Sequence, residues 1–449
     1  MTPFSGLPGR IEAREVEVGV VGLGYVGLSA AVAIARAGHR VVGVDRLPER
    51  VAAVGTGLCP IAGEEPGLAD LLAGVVAGGG LRASTDYRAL AACEVVLLCV
   101  DTPVEEDHLP HYEALLSACA SLGPVLAPGA LVIVESTVGP GTTSGLVCSA
   151  LERATGGREG VRFHLGHCPE RVMPGRLLHN IRVMDRVLGA CSPAAAAAMR
   201  ALYGTFVEGR LDEADTVTAE LVKTAENAYR DVGIAFANQL ALICERAGAD
   251  VWRVRELVNR SPGRNVLLPG SGVGGHCIPK DPWLLASVLG EDAGASLIAA
   301  ARRLNDSMPG HCAELTVGIL GEHGVSPEGA AVVVLGASYL EESDDTRNSP
   351  TATLVGLLQQ LGCGVRIHDP FVPGHSGDVI DAARGADCAV VMVAHEAYRR
   401  IDLRALAAAM RRPLLVDTRR ALDPAALRAA SFAFRVLGAP AAAPAGWVR

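Results

Sequence analysis

The chain contains almost no lysine. Of its 40 basic residues only two are lysines, Lys223 and Lys280, and the others are arginines. Arginine can replace lysine wherever only positive charge is needed, but lysine is compact and loses its proton near neutral pH when it is desolvated. The two positions that keep lysine are therefore candidates for working groups in a site, the alternative being that they persist by chance.

Other scarcities exclude classes of protein. With a net charge of -9 and no block of basic residues, the sequence lacks the positive face that nucleic-acid phosphates require. No apolar run is long enough to cross a bilayer, and the N-terminus lacks the layout of a secretion signal. The 12 cysteines include no CxxC pair and no cluster with zinc spacing. We expect reduced thiols in a cytoplasmic protein, with no metal and no nucleic-acid or membrane partner.

Aromatic residues make up only 4% of a chain that is 50% hydrophobic, which favours helices packed closely on sheets. Short continuous apolar runs occur at residues 95–100 and 131–134, and again at 332–335 and 388–393. Continuous runs are typical of parallel strands buried on both faces. Residues 218–246 have helical spacing and no proline, which predicts a long spine helix. The expected fold class is α/β, with two Rossmann-like doubly wound domains joined by a helical central domain.

A glycine motif follows the first predicted strand. Gly22, Gly24 and Gly27 open the next helix, and Asp45 ends the second strand, 18 residues after Gly27. In a βαβ unit this pattern makes the turn, lets the backbone approach a pyrophosphate and packs the helix on its strand. A carboxylate at Asp45 accepts bonds from ribose hydroxyls and repels a 2′-phosphate, so the pattern favours NAD over NADP. An ordinary glycine-rich turn is the alternative.

Cys277 lies between two glycines and Lys280, in a glycine-rich loop. A thiol near a cation can ionise and attack a carbonyl, whereas a structural cysteine would lie in an apolar run. Asp281 can hold a water, orient Lys223 or serve only as a helix N-cap. Lys223 and Asn227 are four residues apart and share a helix face. Together they can bind an oxyanion and relay a proton, although a solvated helix face is the plain alternative.

These segments resemble the nucleotide-sugar 6-dehydrogenase family, the UDP-glucose/GDP-mannose dehydrogenases. The resemblance spans residues 16–423. Within the family, the chain most resembles the branch that acts on UDP-N-acetyl-D-mannosamine. Pro174 stands where glucose-type members have a second glutamate after Glu170. The motifs that carry it are residues 22–27, 100–103, 135–138, Lys223 with Asn227, 167–176, 226–238, 272–283 and 344–350.

The resemblance implies a four-electron oxidation of a sugar C6 from alcohol to acid, with consumption of two NAD+. Lys223, or a water near Asp281, would help remove the alcohol proton. Cys277 would form a thiohemiacetal and then a thioester, while Lys223 and Asn227 would stabilise the adduct's oxygen. The implied assembly is a homodimer or a higher homo-oligomer built through the central helices.

The resemblance also implies contact residues and domain boundaries. Besides Gly22, Gly24, Gly27 and Asp45, the implied NAD contacts are Tyr25, Val26, Arg50, Thr102, Thr137 and Arg347. The implied substrate contacts are Glu170, Arg171, Val172, Lys223, Asn227, Arg230, Gly274 and Arg419, with Arg260 or Arg264 reaching a neighbouring subunit. The expected divisions are a disordered lead-in at 1–14, an NAD-binding domain at 15–195, a central helical domain at 196–310, a sugar-nucleotide-binding domain at 311–438 and a loose tail at 439–449.

The sequence departs from the family pattern at three places. Tyr339 and Leu340 stand where a phenylalanine and a substrate-binding lysine are usual, Asp101 replaces a proline, and the arginine of loop 261–264 is shifted by one residue. Three alternative readings remain open. One is a UDP-N-acetylglucosamine, UDP-N-acetylgalactosamine or UDP-glucose dehydrogenase, another is a two-electron hydroxyacid dehydrogenase, and the third is a non-catalytic binding protein.

Overall fold

The computed structural model describes residue 4 and residues 6–61, 65–171 and 175–440. The chain divides into two compact units. The first comprises Met1–Glu226 with Trp283–Gly290, and the second comprises Asn227–Pro282 with Glu291–Arg449. The boundary between the units at Glu226 and Asn227 lies inside residues 196–310, the expected central domain, and the expected domain bounds remain a prediction.

The apolar runs predicted at 95–100, 131–134, 332–335 and 388–393 each contain a strand, with bounds that agree to within two residues. The strands are β1 (Glu17–Val21), β2 (Arg40–Val44), β3 (Leu81–Ser84), β4 (Val95–Leu98), β5 (Ala130–Val134), β6 (Phe163–His167), β7 (Arg186–Ala190), β8 (Leu211–Ala214), β9 (Ala331–Leu335), β10 (Gly364–His368), β11 (Cys388–Val391), β12 (Leu414–Asp417) and β13 (Ala433–Val436).

Helices connect and cover these strands. They are α1 (Leu7–Glu12), α2 (Tyr25–Arg36), α3 (Pro48–Gly55), α4 (Leu68–Ala77), α5 (Glu113–Leu122), α6 (Cys148–Thr155), α7 (Leu177–Val183), α8 (Pro193–Tyr203), α9 (Thr216–Ala247), α10 (Val251–Asn259), α11 (Asp281–Ala286), α12 (Leu297–Glu322), α13 (Pro350–Gln360), α14 (Val379–Ala383), α15 (Glu396–Arg399), α16 (Leu403–Ala409) and α17 (Pro424–Ala429). Short 3-10 helices occur at Tyr87–Leu90, Gly123–Val125 and Ser287–Ala295, and a π-helical turn occurs at Thr143–Val147.

The sheet of the first unit has the order β3-β2-β1-β4-β5-β6-β7-β8. Its strand pairs are parallel apart from β6 with β7. The strand order reverses between β1 and β4, so the loops that follow these strands diverge and leave a crevice at their carboxyl ends. Those loops begin at Gly22 and Cys99.

The sheet of the second unit has the order β10-β9-β11-β12-β13, and its strand pairs are parallel. The order reverses between β9 and β11, where the following loops begin at Gly336 and Met392. Each unit therefore offers one crevice of the kind in which doubly wound sheets bind ligands. The predicted α/β class with two doubly wound sheets is confirmed.

Both faces of the first sheet are buried, which explains its continuous apolar strands. In β4, Val95 and Leu97 belong to the core on one face and Val96 and Leu98 to the core on the other. All four side chains are 0% exposed. Because successive side chains of a strand point to opposite faces, a strand covered on both sides must be apolar at every position.

The predicted long helix is confirmed as α9, which has 32 residues and so a length of roughly 48 Å. It contains Lys223 and Asn227, and the boundary between the two units falls between these residues. No single helix among the described residues is long and apolar enough to cross a membrane, although the bent pair at 281–295 and 297–322 reaches that length and composition when taken together.

The expectation of a disordered lead-in at 1–14 is wrong for α1. Leu7 and Ile11 lie one helical turn apart, are 1% and 0% exposed, and join the core that includes residues of α8. Arg10 also pairs with Glu94 at 2.6 Å. Burial of the two apolar side chains offsets the entropy lost on ordering this short segment. Residues 1–3 and 5, and residues 441–449 of the expected tail, lie outside the described part of the chain.

Candidate active site

The glycine motif forms a backbone turn that a larger residue would block. Gly22 has a φ of 90°, in the left-handed region, and a Cβ atom on Gly27 would overlap the carbonyl oxygen of Gly22. Gly24 is the N-cap residue of α2, and a Cβ atom there would have nothing within 4 Å. The open space at Gly24 and the backbone N–H groups of the first turn of α2 fit the pyrophosphate of a dinucleotide.

Asp45 follows β2, and its carboxylate binds the backbone of the glycine turn and has a lone pair left for a ligand. Its Oδ2 accepts hydrogen bonds from the backbone N–H of Leu23 at 2.7 Å and from Arg50 Nη1 at 3.0 Å, and its Oδ1 accepts one from Leu47 at 3.0 Å. A carboxylate has about four lone-pair positions. Donors among the described residues occupy three of them, so the fourth suits a ribose hydroxyl, which is the role that the sequence predicts.

Thr102 and Thr137 meet across the loops after β4 and β5. The Thr102 hydroxyl donates to the backbone carbonyl of Thr137 at 2.6 Å, and the Ser136 hydroxyl donates to that of Val100 at 2.6 Å. The two loops are thereby fastened to each other. Because the Thr102 proton is engaged with the backbone, this side chain would contact a ligand through its remaining lone pairs.

Sequence analysis missed Glu65. The hydroxyl of Tyr25, the first residue of α2, donates to Glu65 Oε1. The same oxygen accepts the N–H of Gly175 at 2.8 Å, and Oε2 accepts that of Leu177 at 3.2 Å. Glu65 thus joins the start of the dinucleotide-binding helix to the segment after Glu170 and Arg171. No motif surrounds Glu65, and 110 residues separate it from Gly175.

Glu170 and Arg171, two of the predicted substrate contacts, each form an ion pair within the first unit. Glu170 is 6% exposed, and its Oε1 lies 3.2 Å from Nη2 of Arg186, which is 2% exposed. Arg171 pairs with Glu226 at 2.9 Å. Val172, also predicted to contact substrate, lies outside the described residues.

Glu135 is a buried carboxyl group close to these residues. It is 3% exposed, accepts a hydrogen bond from the Tyr203 hydroxyl at 2.5 Å, and has the Cys99 sulfur 3.7 Å from its Oε2. Burial raises the pKa of Glu135 to about 7, while the Arg186 guanidinium opposes this shift. The first unit therefore contains a buried carboxyl group with a pKa of about 7. It lies in contact with Cys99, the first residue of the loop after β4.

Two of the four predicted catalytic residues, Asn227 and Asp281, are hydrogen-bonded to each other in the second unit. Asn227 Nδ2 donates to Asp281 Oδ2 at 2.6 Å, and the Asp281 N–H donates to the carbonyl oxygen of Cys277 at 2.8 Å. Lys280 Nζ lies 2.9 Å from Asp281 Oδ1. Because Asp281 is 0% exposed, its carboxylate relies on these two partners in place of water. Cys277 itself is exposed.

A second cation belongs to the surroundings of the Cys277 thiol. The sequence singled out Lys280, whose ammonium lies 2.9 Å from Asp281 Oδ1. Cys277 interacts electrostatically with Arg347 and Tyr339. Arg347 pairs in a bidentate manner with Asp345, at 2.9 Å and 2.6 Å, and these hydrogen bonds raise the pKa of the guanidinium. A positive charge beside a thiol favours its thiolate form. The predicted contact of Arg347 with NAD remains a prediction.

Lys223, the fourth predicted catalytic residue, lies on α9 in the first unit and is 9% exposed. It precedes Asn227 by four residues, so the two occupy one helix face. Arg230 and Arg260, predicted to contact substrate, are exposed, and Arg260 pairs with Glu256.

The crevice of the second sheet opens into a cavity of about 160 Å³. Its lining residues include Ser271, Ser338, Leu340, Glu341 and Arg419. The predicted substrate residue Arg419 lies so close to Gly270 that a Cβ atom there would collide with the guanidinium. The predicted substrate residue Gly274 is buried, with room for no Cβ atom beside Tyr339 and Asn348.

Three models of one protein family match successive parts of the chain. Residues 16–207 match the NAD binding domain of the UDP-glucose/GDP-mannose dehydrogenase family, residues 217–307 match its central domain, and residues 333–424 match its UDP binding domain. The chain belongs to the UDP-glucose/GDP-mannose dehydrogenase family. It is an NAD-dependent oxidoreductase of Rossmann-like fold whose substrate is a UDP-sugar.

Relatives cover nearly the whole chain. A UDP-N-acetyl-D-mannosamine dehydrogenase of Pyrococcus horikoshii is 38% identical over 94% of this chain and 99% of its own length. The structure of that organism's enzyme superposes with a TM-score of 0.88, at 37% identity over 94% of this chain and 99% of the other. An NDP-N-acetyl-D-galactosaminuronic acid dehydrogenase from Methanosarcina mazei Go1 gives a TM-score of 0.84 at 35% identity, covering 98% of both chains.

The family's cofactor fits the residues of the first unit. Gly22, Gly24 and Gly27 leave backbone space for a pyrophosphate, and Asp45 has an acceptor position for a ribose hydroxyl. Within the described ranges, no group of three or more histidine, cysteine, aspartate and glutamate side chains is arranged to hold a metal ion.

Proposed function

We propose that this dehydrogenase oxidises C6 of UDP-N-acetyl-D-mannosamine from alcohol through aldehyde to carboxylate. The observation that supports this chemistry best is the buried Asp281, fastened to Asn227 at 2.6 Å and to Lys280 at 2.9 Å, directly after the loop that carries Cys277. The sugar is suggested by relatives named UDP-N-acetyl-D-mannosamine dehydrogenase, which are 32–38% identical to this chain.

In the first oxidation the substrate alcohol must lose a proton. Lys223 is the proposed base, because it is an amine on the same helix face as Asn227 and its side chain is buried, being 9% exposed. An amine can exchange a proton during a reaction, whereas a guanidinium cannot. A water held by Asp281 is the alternative route for the same proton. When bound, NAD+ supplies a hydride acceptor, and Gly24, Tyr25, Val26, Asp45, Arg50, Thr102, Thr137 and Arg347 are the proposed contacts that hold it.

In the second oxidation Cys277 is the proposed nucleophile. Its sulfur adds to the aldehyde carbon and the carbonyl oxygen takes up a proton, which gives a thiohemiacetal. Transfer of a hydride from that carbon to a second NAD+, with loss of the hydroxyl proton, would give a thioester. Water then adds, the C–S bond breaks, the thiol regains its proton and the acid leaves. Asn227 and Lys223 would stabilise the oxygen of the tetrahedral adduct.

The proposed substrate contacts are the residues that the family resemblance implies: Glu170, Arg171, Val172, Lys223, Asn227, Arg230, Gly274 and Arg419. Arg260 is proposed to act across a subunit boundary. Its side chain is 63% exposed on the isolated chain, so it is accessible to another copy.

The proposed assembly is a homodimer formed through α9. Tyr229, Phe236 and Ile243 are 82%, 58% and 51% exposed and follow one another at intervals of seven residues. This spacing aligns apolar side chains along a helix, as in helices that pack lengthwise against each other. A second copy of the chain would cover this stripe. The cytoplasmic location expected from the sequence remains a prediction.

The substrate can be tested by incubating the pure protein with NAD+ and a panel of UDP-sugars. We expect UDP-N-acetyl-D-mannosamine to give the largest kcat/KM, with two NADH formed per sugar and an acid of the corresponding mass. One NADH per substrate would instead indicate a two-electron dehydrogenase. Preference for UDP-N-acetylgalactosamine would favour the second candidate, which the structural match to the Methanosarcina mazei enzyme supports.

A further inference from the structure

The cavity of the second unit has little positive charge for the ligand it would receive. Among the described residues that line it, Arg419 is the one cation, and Leu340 contributes a side chain that is 44% exposed. A nucleoside diphosphate brings at least two negative charges, and guanidinium groups bind such phosphates through paired hydrogen bonds. Arg419 alone would leave one of the two phosphate groups without a cationic partner, so a second cation close to the cavity would strengthen binding of the diphosphate.

Arg399 lies next to this cavity at the end of α15. Its Nη2 is 3.5 Å from Oε2 of Glu341, whose Oε1 is 3.9 Å from Nη2 of Arg419. The Arg399 charge is also near enough to lower the pKa of Arg419, an effect secondary to burial of the Arg419 guanidinium. One carboxylate thus lies between two guanidinium groups, and one of these groups belongs to the cavity wall.

The contacts of Glu341 are long and partly exposed. Both distances exceed that of an ordinary charged hydrogen bond, and the Glu341 side chain is 40% exposed. Ion pairs of this kind contribute little to stability and separate readily. Arg399 keeps a second anchor, because its Nε donates to the carbonyl oxygen of Ala394 at 3.2 Å. The carboxylate can therefore leave while the Arg399 side chain stays in place.

We propose that Arg399 and Arg419 together bind the diphosphate of the nucleotide sugar, and that Glu341 occupies the phosphate position until the ligand arrives. Arg399 also lies 3.9 Å from the Glu396 carboxylate, so Glu341 is one of two carboxylates that face this pair of guanidinium groups. A diphosphate that displaces Glu341 takes over its contacts with both guanidinium groups. The inference rests on the proposed function, since it specifies how the same UDP-sugar is held.

Arg400 provides a matched control. It is the neighbouring residue, its side chain is 78% exposed, and it pairs with Glu396 at 2.8 Å. Arg399→Ala and Arg400→Ala remove the same charge from adjacent positions, so a general electrostatic effect on the protein would be equal in the two variants. Arg399→Lys retains the charge and tests whether the guanidinium itself is required.

The test is isothermal titration calorimetry of UDP, and of UMP, against the full-length protein and each variant, after thermal unfolding has shown that all are folded. We expect Arg399→Ala to weaken UDP binding about tenfold and UMP binding much less, while Arg400→Ala changes either by less than twofold. Glu341→Gln should tighten UDP binding several-fold, because the internal competitor loses its charge. Higher salt should weaken the parent more than Arg399→Ala.

Equal UDP affinity in Arg399→Ala and Arg400→Ala would overturn the inference while leaving the proposed function intact. Weaker UDP binding by Glu341→Gln would also overturn it, since Glu341 would then contact the ligand directly. If the folded parent bound no UDP at all, both the inference and the proposed function would fail.

Discussion

Gly27 packs so closely against Gly22 that a Cβ atom on Gly27 would overlap the Gly22 carbonyl oxygen. Gly24, between them, has open space around its Cα hydrogens, since no heavy atom of the described residues beyond its chain neighbours lies within 4 Å of the Cβ position. The motif therefore contains two different requirements. One glycine is needed for the fold of the turn, and the other leaves room for a ligand.

Substitution of these two glycines should separate folding from NAD+ binding. Gly27→Ala forces the turn and α2 apart, and we expect it to lower the free energy of unfolding by about 2–4 kcal/mol. Gly24→Ala should unfold like the parent, because its φ of -73° suits alanine, yet bind NAD+ at least tenfold more weakly. Denaturant unfolding and NAD+ titration measure the two effects. Normal NAD+ affinity in Gly24→Ala would place the pyrophosphate elsewhere.

Cys277→Ala should abolish formation of the acid while leaving NAD+ affinity unchanged. Cys277 is exposed, so loss of its sulfur costs no core packing. Product mass after incubation with UDP-N-acetyl-D-mannosamine and NAD+ provides the measurement, and Cys191→Ala, at a half-buried position, is the control. Acid formation at the parental rate by Cys277→Ala would rule out the thioester route.

The two lysines should respond differently to replacement by arginine. Lys223 and Lys280 are equally buried, each 9% exposed, so their burial is matched. Lys280→Arg retains a cation for Asp281, and we expect kcat within about tenfold of the parent. Lys223→Arg cannot release a proton near neutral pH and should lower kcat by about 100-fold or more. The steady-state rates of the two variants, compared side by side, test this. Similar losses would mean that Lys223 acts only through its charge.

Glu135 should make stability depend on pH. Its pKa in the folded chain is raised to about 7 from an ordinary value of 4.5, so between these values the folded chain holds the extra proton. The stability that this group contributes is complete below pH 4.5 and is lost as the pH rises through 7. Glu135→Gln cannot ionise and still accepts a bond from Tyr203. Its stability relative to the parent should rise by about 1–3 kcal/mol between pH 5 and pH 8.

Urea unfolding of parent and variant across this pH range measures that difference. Glu208→Gln, which changes a carboxylate that is 65% exposed, is the control. Buried His39 has a pKa lowered to about 4 by desolvation, so its own contribution to stability grows as the pH rises. Comparison with the parent at each pH cancels that opposite trend.

Phe236→Asp should convert the proposed dimer to monomers. Phe236 lies between Tyr229 and Ile243 on the exposed stripe of α9, and a buried carboxylate there would lack a partner. Light scattering after size exclusion gives the mass. Phe371→Asp, at an aromatic residue that is 41% exposed elsewhere in the second unit, should leave the assembly unchanged. A monomeric parent would refute the proposed homodimer.

The sequence by itself determined the features that depend on neighbouring residues. A βαβ turn needs its glycines at fixed intervals, a strand covered on both faces must be continuously apolar, and a long helix needs uninterrupted spacing without proline. For this reason Gly22, Gly24, Gly27 and Asp45, the main strands and α9 can all be recognised from local spacing alone. Cys277, Lys280 and Asp281 can be recognised as a group because they are close together in the chain.

The tertiary structure decided which distant side chains meet. Glu65 joins Tyr25 to Gly175 across 110 residues, and Glu135 accepts the bond of Tyr203 across 68. The helix α1 packs in the same core as α8, and Lys280 lies 2.9 Å from Asp281. Such contacts arise because buried polar groups must find partners and apolar side chains must find cover wherever the packed chain brings them. The spacing of neighbouring residues in the sequence therefore does not predict these contacts.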